Sequence, residues 1–515
     1  MRMMHRRFTT ALAFAAVLGM GVGAVRAAPE DKAEAAWPAG LPKAERFVLP
    51  NGLTVLLVAD PENPILDVEL AFKAGGGADP SGKEGLASMV GRMLTAGVDG
   101  LDEQALAKEL ARLGAQVAPE VATDTFQFGG QVPTFSDGEV RRFLGLFFQM
   151  VRAPTLPAAV LEREKTLRLG LLGRIADNAE AVVEVAAKLA AMGQGPWGRP
   201  VFGNATAVAG LTRDDVVRFH RAVLQPKNAV LAIGGAFDPG AMRTYLEREL
   251  AGWGVDTGAS PGGLPGRMAR LCAVVDEQDV CFANATAYAP TRSAGLPYPR
   301  TIHVVVDDPG LTQIPWRLSG PNPVAMVDAQ WPAFRLGVFA LGGDFTSRLN
   351  TRLRTKEGLT YGAYFDPGFG GHVSGAMMIS TDATADALER SISIGTEEVQ
   401  ALLQNDLSEE ELGQVKALLV EGFAFKFETI LDTVDQYLTL EVAGVPITWL
   451  AGWRQALLLP SAAEIRKALG PLDLQHMTLV VAGPASLGPT LASLKHGEVT
   501  TLTAKDLLER GLGSR

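Results

Sequence analysis

The chain repeats itself, and the repeat constrains its fold more than any single motif. Thr212 to Gly234 and Ser461 to Gly483 each read as a helix running into an apolar strand, closing as Lys-Asn-Ala-Val-Leu-Ala-Ile-Gly and His-Met-Thr-Leu-Val-Val-Ala-Gly. An internal duplication is the simplest account, so what packs the first half must also pack the second. Apolar residues at period 2 and period 3.6 extend the match over both halves. In the first they predict strands Phe47 to Val58 (turning at Asn51-Gly52) and Ile65 to Ala74, then helices over 85–97 and 102–113. Strands over 115–121 and 125–132, helices over 138–152, 157–192 and 212–223, and a strand over 229–234 follow. The second half repeats the order with strands over 302–306 and 313–319, helices over 327–341 and 346–357, and strands over 360–366 and 374–381. Helices over 383–404, 408–443 and 461–469 and a strand over 477–482 complete it. This pattern predicts an α+β chain of two similar domains, each an antiparallel-rich sheet with helices on one side.

Residues 1–27 carry a basic start (Arg2, Arg6, Arg7), an apolar run from Ala11 to Ala24, and Val25-Arg26-Ala27 ahead of Pro29. That is the pattern of a secretory signal; the run is shorter than the ~20 residues that span a membrane. The expected organisation is a signal at 1–27, a first domain at 28–253, a linker rich in Gly, Pro, Ser and Ala at 254–300, and a second domain at 301–515. The expected location is periplasmic or secreted, with no membrane contact once the signal is removed. The net charge of −10 includes four arginines and no acid within the signal, so the remainder is more acidic still. An acidic balance without a basic cluster argues against nucleic acid as a partner. Cys272 and Cys281 are the only cysteines, and export favours their pairing as a disulfide in the linker.

Gly85 to Gly97 reads Gly-Leu-Ala-Ser-Met-Val-Gly-Arg-Met-Leu-Thr-Ala-Gly. Leu86, Met89, Val90, Met93 and Leu94 form one apolar helical stripe, with Ser88, Gly91 and Arg92 opposite. The segment resembles the helix of the insulinase and pitrilysin superfamily of zinc peptidases, Gly-x-Ala-His-x-x-Glu-His-Met-Leu-x-x-Gly. There two histidines four apart hold the metal and the Glu polarises its water. Here those three positions are Ser88, Gly91 and Arg92. The family's third ligand, a Glu on a later helix, aligns with Gly170 or Leu171. Neither is a carboxylate, and a guanidinium repels a cation, so no zinc is expected in this chain.

The best match to the family is Gly342 to Tyr361, where Phe345, Leu349 and Leu353 give a buried helical stripe that Gly358 ends. In the family an Arg and a Tyr seven apart in this segment face the zinc site across the cleft; Arg354 and Tyr361 stand there. From composition alone, Arg354 reads as one solvated charge among Arg348, Arg352 and Lys356. The resemblance implies instead that Arg354 binds a peptide carbonyl and Tyr361 stabilises an oxyanion. Asn51-Gly52-Leu53, Pro196-Trp197-Gly198-Arg199-Pro200 with Gly203, and Pro226-Lys227-Asn228 resemble further landmarks of the family, over nearly all of 45–490. The family's plan is two such domains hinged as a clam shell. Some members are heterodimers in which one chain keeps the zinc motif and the other keeps the Arg and Tyr. The resemblance therefore implies a non-catalytic subunit of the bacterial or mitochondrial-processing-peptidase type. Its partner would carry His-x-x-Glu-His and the zinc, and its substrate would be an unfolded peptide. The competing reading is a structural or peptide-binding pseudopeptidase with no proteolytic role.

Overall fold

The computed structural model describes residues 40–193, 195–254, 300–322, 324, 328–368, 375–470, 472 and 474–510. The signal pattern, Cys272 and Cys281 lie outside them. Six strands form the first sheet: β1 (Glu45–Val48), β2 (Thr54–Ala59), β3 (Ile65–Phe72), β4 (Gln116–Val121), β5 (Phe126–Pro133) and β6 (Ala229–Gly235), in the order β1-β2-β6-β3-β5-β4. The second holds β7 (Arg300–Val305), β8 (Ile314–Pro321), β9 (Tyr364–Asp366), β10 (Ala376–Ala383), β11 (Thr478–Gly483) and β12 (Glu498–Thr503), in the order β12-β7-β11-β8-β10-β9. Position by position the two sheets agree, including the parallel pairs β2 with β6 and β7 with β11 and the antiparallel pairs elsewhere. They part at one edge. β1 is a hairpin partner antiparallel to β2, whereas β12 arrives from the far end of the chain and lies parallel to β7. The sequence pattern stopped at residue 482 and missed this last strand.

The principal helices of the first half are α1 (Leu86–Met93), α2 (Glu103–Arg112), α3 (Asp137–Arg152), α4 (Ala158–Ala176), α5 (Ala179–Met192) and α6 (Arg213–Val223). Those of the second are α7 (Trp331–Gly342), α8 (Leu388–Gln404), α9 (Glu409–Glu421), α10 (Ile430–Val442) and α11 (Ala462–Leu469). Strand side chains alternate between faces, so the core residues sort themselves. Val55, Leu57, Leu231 and Ile233 meet α1, α3 and α6 of their own half. Trp316, Leu318, Ile379 and Val481 meet α7, α8 and α11 of theirs.

The alternate face of each sheet receives a helix from the other half. Leu56, Val58, Val230 and Ala232 of the first sheet share a core with Ile430, Val434 and Tyr437 of α10. Ile302, Val304, Val480 and Ala482 of the second pack against Val182, Val183, Ala186 and Ala190 of α5. Two predicted long helices are each broken to make this crossing. Asn178 accepts from the Ala181 amide to start α5, and Thr429 forms a capping box with Asp432 to start α10. Gly234 is where α10 presses closest, since a Cβ there would lie 2.5 Å from Val434 and 2.7 Å from Ile430. Buried Arg317 of β8 pairs with Glu180 and with Glu184 of α5, the latter at 2.8 Å, and the Tyr437 hydroxyl donates to the Pro42 carbonyl at 2.6 Å. Each fully buried Val or Leu contributes about 1.5–3 kcal/mol. The exchanged helices hold the halves together through these apolar contacts, with buried Arg317 tied to α5 at the same crossing. Among the described residues no helix is long and apolar enough to cross a membrane.

Candidate functional site

Two places need assembling: the helix that keeps the zinc-peptidase frame, and the Arg and Tyr segment. Helix α1 is fixed from its start by Asp79, whose carboxylate accepts from the Gly85 and Ala87 amides, both at 2.7 Å. Asp79 is buried, and burial outweighs those two bonds, pushing its carboxyl up to about 7. The apolar stripe is buried as expected, Leu86, Met89, Val90 and Met93 all facing the core. The edge strand β4 lies against α1, close enough that a Cβ on Gly91 would stand 3.1 Å from Pro119 and 3.3 Å from Val121.

On the outer side of α1, helix α4 supplies the partners. The Ser88 hydroxyl donates to the Gly85 carbonyl at 3.1 Å and accepts from Arg168 at 2.8 Å, while Arg168 also donates to the Phe202 carbonyl at 3.1 Å. Arg92 pairs with Glu164 at 3.2 Å, and the other Glu164 oxygen accepts from Arg163 at 3.1 Å. The residue of α4 opposite Ser88 is therefore Arg168. Gly170, expected there, points away into open space, and Leu171 is partly exposed. Two residues along a helix is about 200° of rotation, so an alignment slip of two exchanges the inner face for the outer. Burial and neighbouring Arg92 pull the Arg168 guanidinium below its usual range. These residues do not fit zinc: a cation would meet two guanidiniums, a hydroxyl already bonded, and one carboxylate already shared by two arginines. Among the described residues no group of three or more His, Cys, Asp or Glu is placed to hold a metal.

In the second half, Leu349 and Leu353 are fully buried, but Phe345, expected to share their stripe, is 60% exposed. Phe345 lies in the turn that precedes the helical segment and so falls out of register with Leu349 and Leu353; from Asn350 to Lys356 the segment then winds as a π-helical turn. Gly358 closes it with φ +66°, a left-handed conformation that glycine adopts without strain. Phe345 instead stacks under Arg354, whose guanidinium carbon lies 4.9 Å from the ring centre, and meets Tyr364 edge to face at 6.1 Å. Tyr364 and Tyr361 both line a cavity of about 590 Å³ between the halves, whose other wall includes Asp177 to Glu180 at the start of α5. Arg354 thus joins the Tyr361 cavity through Phe345 and Tyr364, two aromatics that the sequence reading did not assign to a site.

The neighbouring charges differ sharply from Arg354. Arg348 holds Glu411 in a double contact at 2.5 and 2.8 Å, and Arg352 faces Glu357, Glu397 and Glu398. Among the described residues Arg354 has no ion pair, and Tyr361 is 83% exposed with no side-chain hydrogen bond. Arg348 and Arg352 are structural ties; Arg354 and Tyr361 are presented outward.

Residues 54–205 match the model of the insulinase family, peptidase family M16, and residues 210–419 match that of the peptidase M16 inactive domain, more than half of the chain between them. A Helicobacter pylori protein described as the non-peptidase homolog YmxG is 19% identical over 392 residues, covering 75% of this chain and 81% of that one. The crystal structure of a peptidase M16 inactive domain from Pseudomonas fluorescens superposes with a TM-score of 0.72 at 22% identity, covering 86% of this chain and 98% of that one. The periplasmic protease PqqL of Escherichia coli superposes with a TM-score of 0.66 at 12% identity, covering 92% of this chain and 50% of that one. The chain belongs to the peptidase M16 family, as a non-catalytic member.

Proposed function

We propose that this chain is the zinc-free subunit of an exported two-chain M16 peptidase, forming half of a peptide chamber and lending Arg354 and Tyr361 to the metal site of its partner. The partner carries His-x-x-Glu-His and the zinc. The observation that supports this best is the contrast in engagement within one segment: Arg348 and Arg352 are taken up by Glu411 and by Glu357, Glu397 and Glu398, while Arg354 and Tyr361 face outward beside a cavity. An exposed Arg supported on an aromatic ring can grip a peptide carbonyl, and an unengaged Tyr hydroxyl can donate to an oxyanion. The substrate is an unfolded peptide lying extended along a sheet edge, for which β4 beside α1 has the right placement. The leader pattern at 1–27 supports a periplasmic or secreted location.

Co-purification from the native host, then reconstitution with the zinc-bearing chain so identified, tests the proposal. Arg354→Ala and Tyr361→Phe should each lower kcat by about 10²-fold or more while the complex still assembles, the scale seen when one oxyanion donor is removed. Unchanged turnover in both variants would discard the proposal in favour of a structural or peptide-binding role.

A further inference from the structure

The residues that displaced the zinc motif invert its electrostatics. A site of this family holds a divalent cation; here the same corner holds two guanidiniums, Arg92 and Arg168. Charges around them pair off as Arg92 with Glu164 and Arg163 with Glu103. Among the described residues Arg168 forms no salt bridge: it feels the Glu164 that Arg92 and Arg163 already share, and its hydrogen bonds go to a hydroxyl and a carbonyl, both through one terminal nitrogen. One positive charge is left over, partly buried and beside a second cation. Arg92 is bonded through Nε alone, and its side chain is 57% exposed, so its terminal nitrogens face solvent. A planar fork of this kind suits a carboxylate, which accepts two parallel N–H bonds.

We infer that the Arg92 and Arg168 corner is an anion site that takes a peptide carboxylate, either a chain's own C-terminus or an acidic side chain. The edge strand β4 packs on α1 at Gly91, so a peptide paired to that edge runs alongside the helix that carries Ser88 and Arg92. Where an active relative polarises a peptide bond, this chain anchors a charge. The inference rests on the proposed function only in taking peptide as the ligand, and it needs neither the partner nor the zinc.

Calorimetric titration of the isolated chain tests it with three unstructured peptides of one sequence: a free C-terminal acid without Asp or Glu, its C-terminal amide, and the amide carrying one internal Glu. The free acid, the Glu-bearing amide or both should bind at least tenfold more tightly than the plain amide, with an advantage that shrinks as salt rises. Arg168→Gln, which keeps a donor for Ser88, and Arg92→Gln should each erase the advantage without unfolding the chain. An internal Glu that restores the amide's affinity assigns the site to acidic side chains; no gain from it assigns the site to C-termini. Equal affinity of all three peptides for the unaltered chain overturns the inference and leaves the chamber reading standing. No binding of any of the three peptides to the isolated chain also overturns the inference, while the chamber reading is decided by the Arg354→Ala and Tyr361→Phe variants in the reconstituted complex.

Discussion

The two halves share a sheet, strand for strand, yet treat their chemistry-bearing corners in opposite ways. In the first half Ser88 and Arg92 are bonded within the chain to Arg168 and Glu164, which leaves only the terminal nitrogens of Arg92 turned to solvent; in the second, Arg354 and Tyr361 rest against aromatics and open space. The difference teaches that residue type alone does not mark a binding residue. Arg348, Arg352 and Arg354 lie within seven residues of each other, and only the partners of each tell a structural tie from a side chain held out for a ligand.

The comparison can be broken most severely at the crossing helices. Val183→Asp in α5 or Val434→Asp in α10 buries an unpaired carboxylate against the opposite sheet, and each should cost about 4 kcal/mol or more. Chemical denaturation followed by probes in each half should show one lowered transition shared by both. A variant that melts one half and spares the other would show the halves to be independent.

A smaller effect is expected at the remote cap. Asp79→Ala leaves the Gly85 and Ala87 amides without their acceptor and should cost about 2 kcal/mol. Its pH dependence has a definite sign. The folded carboxyl titrates at about 7, and an unfolded one near ~3.9, so between these values the folded state holds the extra proton. The contribution of Asp79 therefore falls as pH rises through that window and is level above it. Asp79→Asn should flatten this part of the stability profile, as read from melting temperatures across pH 4 to 8; an unchanged slope would assign it to other groups.

The contrast among the arginines sharpens further at low amplitude. Arg348→Ala removes a double contact to Glu411 and should lower stability by about 1 kcal/mol. Arg354→Ala should leave the denaturation midpoint of the isolated chain within about 0.5 kcal/mol of the parent. A large loss at Arg354 would make it a structural residue.

Much of the fold was legible because duplication and hydrophobic period report on local structure. The exchange of α5 and α10 was not, since an apolar helix face records that it is buried and not which sheet buries it. Its breakpoints did leave a trace: Asn178, and Thr429 with Asp432, are capping residues inside stretches read as continuous helix. The degenerate motif and the Arg and Tyr segment were found through resemblance. Arg168 was missed because the helix phase of α4 was taken two residues late, and that helix is apolar on both sides, with Leu167 and Leu171 exposed. Phe345 was misplaced because an i, i+4 stripe assumes that the helix has already begun, whereas the chain is still turning at 345.

The helix exchange also orders events during synthesis. Leu56, Val58, Val230 and Ala232 are made early, but the helix that covers them spans Ile430–Val442, and the Tyr437 bond to Pro42 closes a loop of 395 residues. A nascent chain that has completed its first six strands still presents a bare apolar sheet face while the second half is being translated. Until α10 emerges, that face is a ready target for chaperones and for neighbouring chains, so the first half, although finished in sequence, cannot be finished in structure ahead of the second.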